Sequence, residues 1–520
     1  MGGVEVVVSV ACVVITAWLA RAVHVMWWKP KMIEKQLRAE GVLVLPYKFL
    51  YGNTREMVKL SRESRSDPKT QQLPPHDILP RLNPFLHKMV TAHKKEFIVW
   101  HGTTPRLTLL DPNLIRDVLL NKSRDFKKPI ASSFDLFVTG IGSYEGDKWV
   151  KHRRIINPAF HLEKLKRMMP AFSTCFEEMI EKWHKLVDST GSYELDVSHE
   201  LEKVTGKVIS KTAFGSNFQE GRLVFSLQKE QSQLFLQSTA SIDFPWSSLY
   251  RFLFPTKTHK RMRQIHKEVK DILRGIIEKR KKAIQLGIDN QDDLLSLLLK
   301  SNDNYLQESK NPNAGMTIED VIEECKLFYF AGHESTANLL SWTMILLSMH
   351  KNWQERGREE ILKVMGKKKP SFDDLSSLKM VNMILLEVLR LYPPTSFIRS
   401  TYRKTKLGHL KLPAGVQIYM PISLVHRDPE QWGEVALEFN PERFSEGVSK
   451  ASKDQMSFFA FGWGPRICIG QNFAMLEAKL ALTFILQNLS FNLSPSYTHA
   501  PSIAITLHPG KGAQVILHKL

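Results

Sequence analysis

Hydrophobic and polar positions along this chain fall into blocks of different period. Val4 to Trp28 is a nearly unbroken apolar run whose centre, Val6 to Leu19, carries no charge. As a helix it is long enough for a hydrocarbon layer of ~30 Å. From Glu96 to Leu120 apolar and polar residues alternate before a helical stretch, which predicts a small sheet beside a helix. Met168 to Leu299 reads as mostly helical, with a strongly apolar stretch from Asp292 to Leu299 and then a polar loop from Lys300 to Gly315. Thr317-Ile318-Glu319-Asp320 has the form of an N-cap. The helix it opens runs to about His350, roughly 50 Å. Another helix carries Glu387 and Arg390 and stops at Pro393. Gln471 to Leu486 is rich in Ala, Leu, Met and Phe and predicts one more. After Phe491 alternation returns, predicting a β-hairpin with Ser502, Ile503 and Ala504 at a pocket-facing tip.

The flanks of the first run decide its meaning. Glu5, Arg21 and His24 sit toward its ends, Trp27 and Trp28 suit an interface, and Lys29, Lys31, Lys35 and Arg38 follow. Nothing basic but the amino group precedes it. Positive-inside logic therefore expects an uncleaved single-pass anchor with the remainder in the cytosol, where the sequon Asn121-Lys122-Ser123 stays unglycosylated. A cleaved signal peptide ending near Ala20-Arg21-Ala22 is the competing reading, weakened by the missing basic n-region. Length alone suggests about three domains. No dividing linker is visible, so we divide the chain into an anchor (1–28), a basic linker or hinge (29–60, including Gly41 to Pro46) and one catalytic domain (61–520).

A net charge of +19 raises the question of nucleic acid. The basic residues are spread along the chain, and the densest run, Lys260 to Lys282, is interleaved with Ile265, Val269, Leu273 and Ile276. That is an amphipathic helix with a solvated face. The charge suits anionic membrane lipid or an acidic redox partner, and no nucleic acid is expected. Cys12, Cys175, Cys325 and Cys468 form no C-x-x-C pair, which suggests neither a zinc site nor a disulfide framework.

Chemistry concentrates in four places. Phe461 to Gly470 holds three glycines and a proline and must be a shaped loop. Cys468 stands just before a helix N-terminus, where the dipole and free N–H groups favour a thiolate; an inert buried cysteine is the plainer alternative. Trp149 and Arg153 share a helical face. Ala331-Gly332-His333-Glu334-Ser335-Thr336 places small residues, an acid and hydroxyls inside an apolar helix, which permits close approach of a flat ligand and local opening of the helix. His333 reads as packing. Glu387 and Arg390 are spaced as an i, i+3 ion pair.

Together these stretches resemble the cytochrome P450 family. Phe461, Gly464, Arg466, Cys468 and Gly470 fit its F-x-x-G-x-R-x-C-x-G loop, and Trp149 with Arg153 fits W-x-x-x-R. Glu334 and Ser335 fit A-G-x-[DE]-T, with Ser where Thr is usual and Thr336 next. Glu387 and Arg390 fit E-x-x-R, the segment from Phe439 supplies Arg443, and Pro394 to Arg399 resembles a pocket-lining strand. The resemblance implies a mainly α fold with a small β region behind one transmembrane helix. It implies heme b (iron protoporphyrin IX) with Cys468 as axial ligand of the iron, and cofactor contacts from Trp149, Arg153, Arg399, Phe461, Arg466 and Gly470. Glu334, Ser335 and Thr336 become the catalytic proton-delivery group, with the acting hydroxyl left open, and Glu387, Arg390 and Arg443 a structural network. The implied activity is monooxygenation of an apolar small molecule with O2. Electrons come from NADPH-cytochrome P450 reductase, at the endoplasmic reticulum membrane with the catalytic domain in the cytosol. The details look most like plant microsomal enzymes, the group of secologanin synthase and the plant steroid and gibberellin hydroxylases, which suggests a terpenoid or steroid. A haem-thiolate isomerase or dehydratase acting on a hydroperoxide, or a haem sensor without turnover, are the alternatives.

Overall fold

The computed structural model describes residues 2–66, 76–93, 96–121, 124–129, 139–215, 218–239, 256–288, 293–311, 314–454 and 456–520. Lys122 and Ser123 of the sequon, 216–217, 240–255 and 289–292 of the long helical segment, and 312–313 of the expected polar loop lie outside the described residues.

The apolar run forms α1 (Gly2–Val23), which passes through a π-helical turn (His24–Trp28) directly into α2 (Lys29–Ala39). This helical unit is long and apolar enough to cross a membrane. Pro30 near the start of α2 gives up an N–H, but the chain is already helical there and the helix does not break. The carboxylate of Glu34 is buried and pairs with Arg38 at 2.6 Å and Lys31 at 2.9 Å. The Trp27 ring lies 6.1 Å from Tyr47 and 6.0 Å from Phe49, and the Tyr47 hydroxyl donates to the Met26 carbonyl. Residues 29–60 thus comprise α2, the short strand β1 (Leu43–Val44) and the start of α3 (Thr54–Ser66).

The alternating stretch forms β2 (Glu96–His101), β3 (Thr104–Leu109) and α4 (Pro112–Leu120), as its periodicity predicts. With β1, β4 (Phe126–Lys127), β6 (Phe397–Thr401) and β9 (Gln417–Met420) the two strands build a six-stranded sheet in the order β1-β2-β3-β9-β6-β4, apart from which lie β5 (Ser192–Asp196), β7 (Thr405–Leu407) and β8 (Leu410–Leu412). Arg399 enters the structure from β6. The other lobe is helical: α5 (Gly146–Ile156), α6 (Leu162–Asp188), α7 (Val197–Phe214), α8 (Phe218–Thr239), α9 (Lys257–Gln285), α10 (Leu294–Ser309), α11 (Ile318–Met349), α12 (Lys379–Leu391) and α13 (Gln471–Asn488). The expected polar loop from Lys300 is helical as far as Ser309. Leu294–Leu299 and Asn302 are buried against the bundle, and that burial carries the helix on through polar residues.

Helix α11 is the axis of this lobe. Its start is a full capping box: Thr317 Oγ1 accepts from Asp320 N at 3.1 Å while Asp320 Oδ2 accepts from Thr317 N at 3.1 Å. Buried on most of its length, it packs most extensively on α7 and also on α13. A Cβ at Gly332 would meet Ile209 Cδ1 at 2.8 Å, so this glycine lets α7 approach. At the C-terminus the alternating segment splits in two. The strand β10 (Leu489–Leu493) pairs with β13 (Gln514–Lys519), while β11 (Pro501–Ile503) and β12 (Leu507–Pro509) form the hairpin. The turn is Ala504 to Thr506, further along than the Ser502 to Ala504 expected, because the ladder pairs Ile503 with Leu507.

Behind the cysteine loop, Glu387 and Arg390 are both fully buried and paired twice, at 2.7 and 2.8 Å. Arg390 also donates to the carbonyls of His426, Ala436 and Glu438, and Asn440 N donates to Glu387 at 2.9 Å. Arg443 Nε stands 3.7 Å from the same carboxylate. Neighbouring His426 uses both ring nitrogens as a neutral imidazole: Nδ1 faces the Arg390 carbonyl and Nε2 accepts from Phe459 N at 2.8 Å. Burial, then the Arg390 guanidinium, pushes its pKa down to about 3. An unfolded histidine near 6.5 binds a proton that the folded one refuses, so this contribution to stability is complete above pH 6.5 and lost as pH falls toward 3. Replacing His426 with Gln is expected to remove about 1.4 kcal/mol per pH unit from the slope of stability against pH between 6 and 4. Denaturant midpoints of the detergent-solubilised parent and variant check this, and identical slopes would contradict it.

Candidate active site

Cys468 is held in a loop whose backbone leaves little freedom. Its N–H donates to the Phe461 carbonyl at 2.8 Å. Gly462 and Gly464 have φ of +78° and +72°, and a Cβ at Gly464 would lie 3.2 Å from the Leu119 carbonyl at the end of α4. Phe461 packs on the main core. The cysteine is enclosed by protein yet presents accessible surface, so its sulfur faces an interior space. Burial raises the thiol pKa, while the Gly470 N–H and the Arg153 guanidinium pull it down. Its backbone donor and cationic neighbour suit an anion that a metal would stabilise.

Four cations crowd one rim of this space. Arg466 donates to the Tyr144 carbonyl at 3.0 Å and to Glu145 at 2.6 Å, and its guanidinium stands 4.5 Å from the Trp149 ring centroid. Arg153 donates to the Ile467 carbonyl at 2.9 Å. Arg399 is 8% exposed and, among the described residues, donates to its own strand at the Ile398 carbonyl. Lys128, which the sequence gave no reason to single out, donates to the Gly142 carbonyl. Burial and then Arg466 push Arg399 down to about 10, and burial, Arg399 and Arg466 push Lys128 down to about 7. Glu145 is the carboxylate that offsets them in both cases. The rim is therefore short of negative charge and matches a ligand edge bearing two carboxylates.

On α11, Ala331 is exposed and Gly332, Glu334 and Ser335 are partly accessible, while Thr336 is 2% exposed. Ser335 Oγ donates back to the Ala331 carbonyl at 2.7 Å, and Thr336 Oγ1 to the Gly332 carbonyl at 3.3 Å. The two adjacent hydroxyls face different surroundings. Thr336 lies by the carboxyl of Glu477 on α13, which is fully buried, makes no hydrogen bond of normal geometry and is pushed well up by burial. Burial also raises Glu334, against a hydrogen bond from Thr506. His333 is packing, as expected: Nδ1 faces the Tyr329 carbonyl and the ring lies 4.6 Å from Phe225.

Residues 78–514 match the family model for cytochrome P450. This chain belongs to the cytochrome P450 family. It is similar to cytochrome P450 CYP72A616 of Paris polyphylla, 54% identical over 97% of both chains. It is 48% identical to 11-oxo-beta-amyrin 30-oxidase of Glycyrrhiza uralensis over 100% of this chain and 99% of the relative. Secologanin synthase 2 of Catharanthus roseus is 46% identical over 97% and 95% of the two chains. The P450 family binds heme b through a cysteine thiolate, and the chain is a P450 monooxygenase.

The residues present fit that cofactor. Cys468 would hold the iron, and the rim of Lys128, Arg153, Arg399 and Arg466 supplies the positive charge that two propionates require. When bound, the haem supplies the activation of O2. The chain's own residues would hold it, exclude water and manage protons. Of the sequence-based candidates, the structure groups Trp149, Arg153, Arg399 and Arg466 with the cysteine loop and places Glu387, Arg390 and Arg443 in one network behind it. Sequence reasoning missed Lys128, Glu477, Asn338 and Thr506, each of which carries meaning only through a distant partner.

Proposed function

We propose that this P450 oxidises an apolar terpenoid or steroid, inserting one atom of O2, with electrons from an NADPH-dependent reductase. We place it at the endoplasmic reticulum membrane, its catalytic domain in the cytosol. One observation carries the monooxygenase reading: Glu334 and Ser335 sit side by side in a core-spanning helix, the serine partly accessible and the acid with a raised pKa. Packing alone would favour Ala or Leu there. Burial makes Glu334 readier to take up a proton than an exposed acid, and Ser335 passes that proton toward the reacting oxygen. The names of two relatives, concerned with 11-oxo-beta-amyrin and secologanin, support a terpenoid substrate. The apolar N-terminal helix, followed by Lys29, Lys31, Lys35 and Arg38, supports the anchor and its orientation.

The different surroundings of the two hydroxyls support Ser335 rather than Thr336 as the relay. Ser335→Ala is expected to keep haem and substrate binding while product formation falls roughly 100-fold, the lower end for a lost acid–base step. NADPH consumption continues, and its electrons appear as hydrogen peroxide. Thr336→Val should stay coupled, because its hydroxyl faces Glu477. Measuring product, NADPH and peroxide against a terpenoid and steroid panel tests the reading. A well-coupled Ser335→Ala enzyme would sink it.

A further inference from the structure

The Glu334 carboxyl is approached from outside its own helix by Thr506, at the turn of the β11–β12 hairpin. Thr506 Oγ1 donates to Glu334 Oε1, and Thr506 Oγ1 in turn accepts from Asn338 Nδ2 at 2.9 Å. Asn338 is four residues after Glu334, so both project from one face of α11. A hydroxyl has a single hydrogen. With Asn338 on its accepting side, Thr506 can direct that hydrogen only at the acid. Oε1 is thereby committed as an acceptor, so a proton taken up by this carboxyl belongs on Oε2. Beside Thr506, Ile505 packs with Leu327 against Phe330, one turn before Glu334 on the same helix. The hairpin turn and the acid are therefore joined by an apolar contact and by a directed hydrogen bond. A cleft of ≈ 240 Å³ reaches Glu334 from the side of α7 and α8, bounded by Glu202, Lys229 and His508.

We propose that Thr506, oriented by Asn338, is a positioning residue that fixes which oxygen of Glu334 carries its proton and locks the C-terminal hairpin to the proton-delivery helix. The proposal rests on the reading of Glu334 as the proton donor. It makes tight coupling depend on a closed hairpin, so a substrate that lifts the hairpin turn wastes electrons even though it binds.

The test uses the full-length, haem-loaded enzyme with its reductase, and four variants. Thr506→Val keeps the shape and removes the donor. Product per NADPH is expected to fall roughly 5-fold, the ratio equivalent to one hydrogen bond of about 1 kcal/mol. The reduced-CO band should be unchanged. Thr506→Ser restores the donor and should return coupling to within about 2-fold of the parent. Glu334→Gln loses the acid but keeps a carbonyl for Thr506, so it uncouples while the hairpin stays locked. The double variant should be no worse coupled than Glu334→Gln alone, since the latch acts through the acid. Hydrogen exchange in the absence of turnover supplies the independent reading. Amides of 501–509 should exchange roughly 5-fold faster in Thr506→Val and at the parent rate in Glu334→Gln. Parent-like coupling or hairpin exchange in Thr506→Val, or multiplying losses in the double variant, overturns the latch. Full coupling in Glu334→Gln instead overturns the proton-donor reading, and the exchange data separate the two failures.

Discussion

Cys468→Ala is expected to abolish both the red-shifted Soret band of the reduced, CO-bound enzyme and all NADPH-driven product formation. The cause is local. Cys468 is the cysteine whose N–H is fixed to Phe461, whose sulfur faces the interior space and whose charge is met by the Gly470 N–H and Arg153. Cys175 and Cys325 are buried and held as thiols by burial, and Cys12 lies in α1. None can substitute. Cys325→Ala serves as the control and should retain the band. Because the glycine geometry belongs to the backbone, the alanine variant should keep its far-ultraviolet circular dichroism. Retention of the thiolate-type band in Cys468→Ala would refute the assignment.

Glu387→Ala should fail at an earlier stage and yield protein without haem. The carboxylate satisfies two guanidinium bonds of Arg390 and the Asn440 N–H. Without it, Arg390 remains at zero exposure with carbonyl partners but no counter-charge. Removing one partner of such a pair costs roughly 3–5 kcal/mol, a large share of the stability of any domain. The carbonyls it ties together belong to 426–438, and His426 reaches from there to Phe459 at the start of the cysteine loop. Losing the pair therefore loosens the loop before any chemistry. The ratio of haem absorbance to protein measures this. A haem-loaded Glu387→Ala enzyme with parental stability and merely slower turnover would contradict it.

What was legible in the sequence is what lies close together in it. The Cys468 loop declares itself within ten positions, Glu387 and Arg390 within four, and the long axis helix through its cap and its apolar length. Chemistry assembled across the chain was not legible. Thr506 meets Glu334 across 172 positions, and Arg466 meets Tyr144 across 322. Lys128 is one lysine among many until Arg399 and Arg466 surround it. Ser335 and Thr336 are equivalent as letters, and only the packing of α13 gives one of them a buried acid for a neighbour. That α7 comes close at Gly332 was not legible either, since periodicity cannot say which helix crosses which.

The unbroken passage from α1 through the π-helical turn into α2 makes the amino-terminal segment a lever rather than a tether. Its 37 apolar-to-basic residues extend ~55 Å, and its far end is pinned by Glu34, Tyr47 and Trp27. A rod of that length turns a tilt of roughly 10° into a swing of ~10 Å at its end. Helices meet a thinner or thicker bilayer by tilting. For a protein seated by this rod, lipid thickness would act as a steering input, setting the attitude of the whole domain and hence which of its surfaces lies against the membrane.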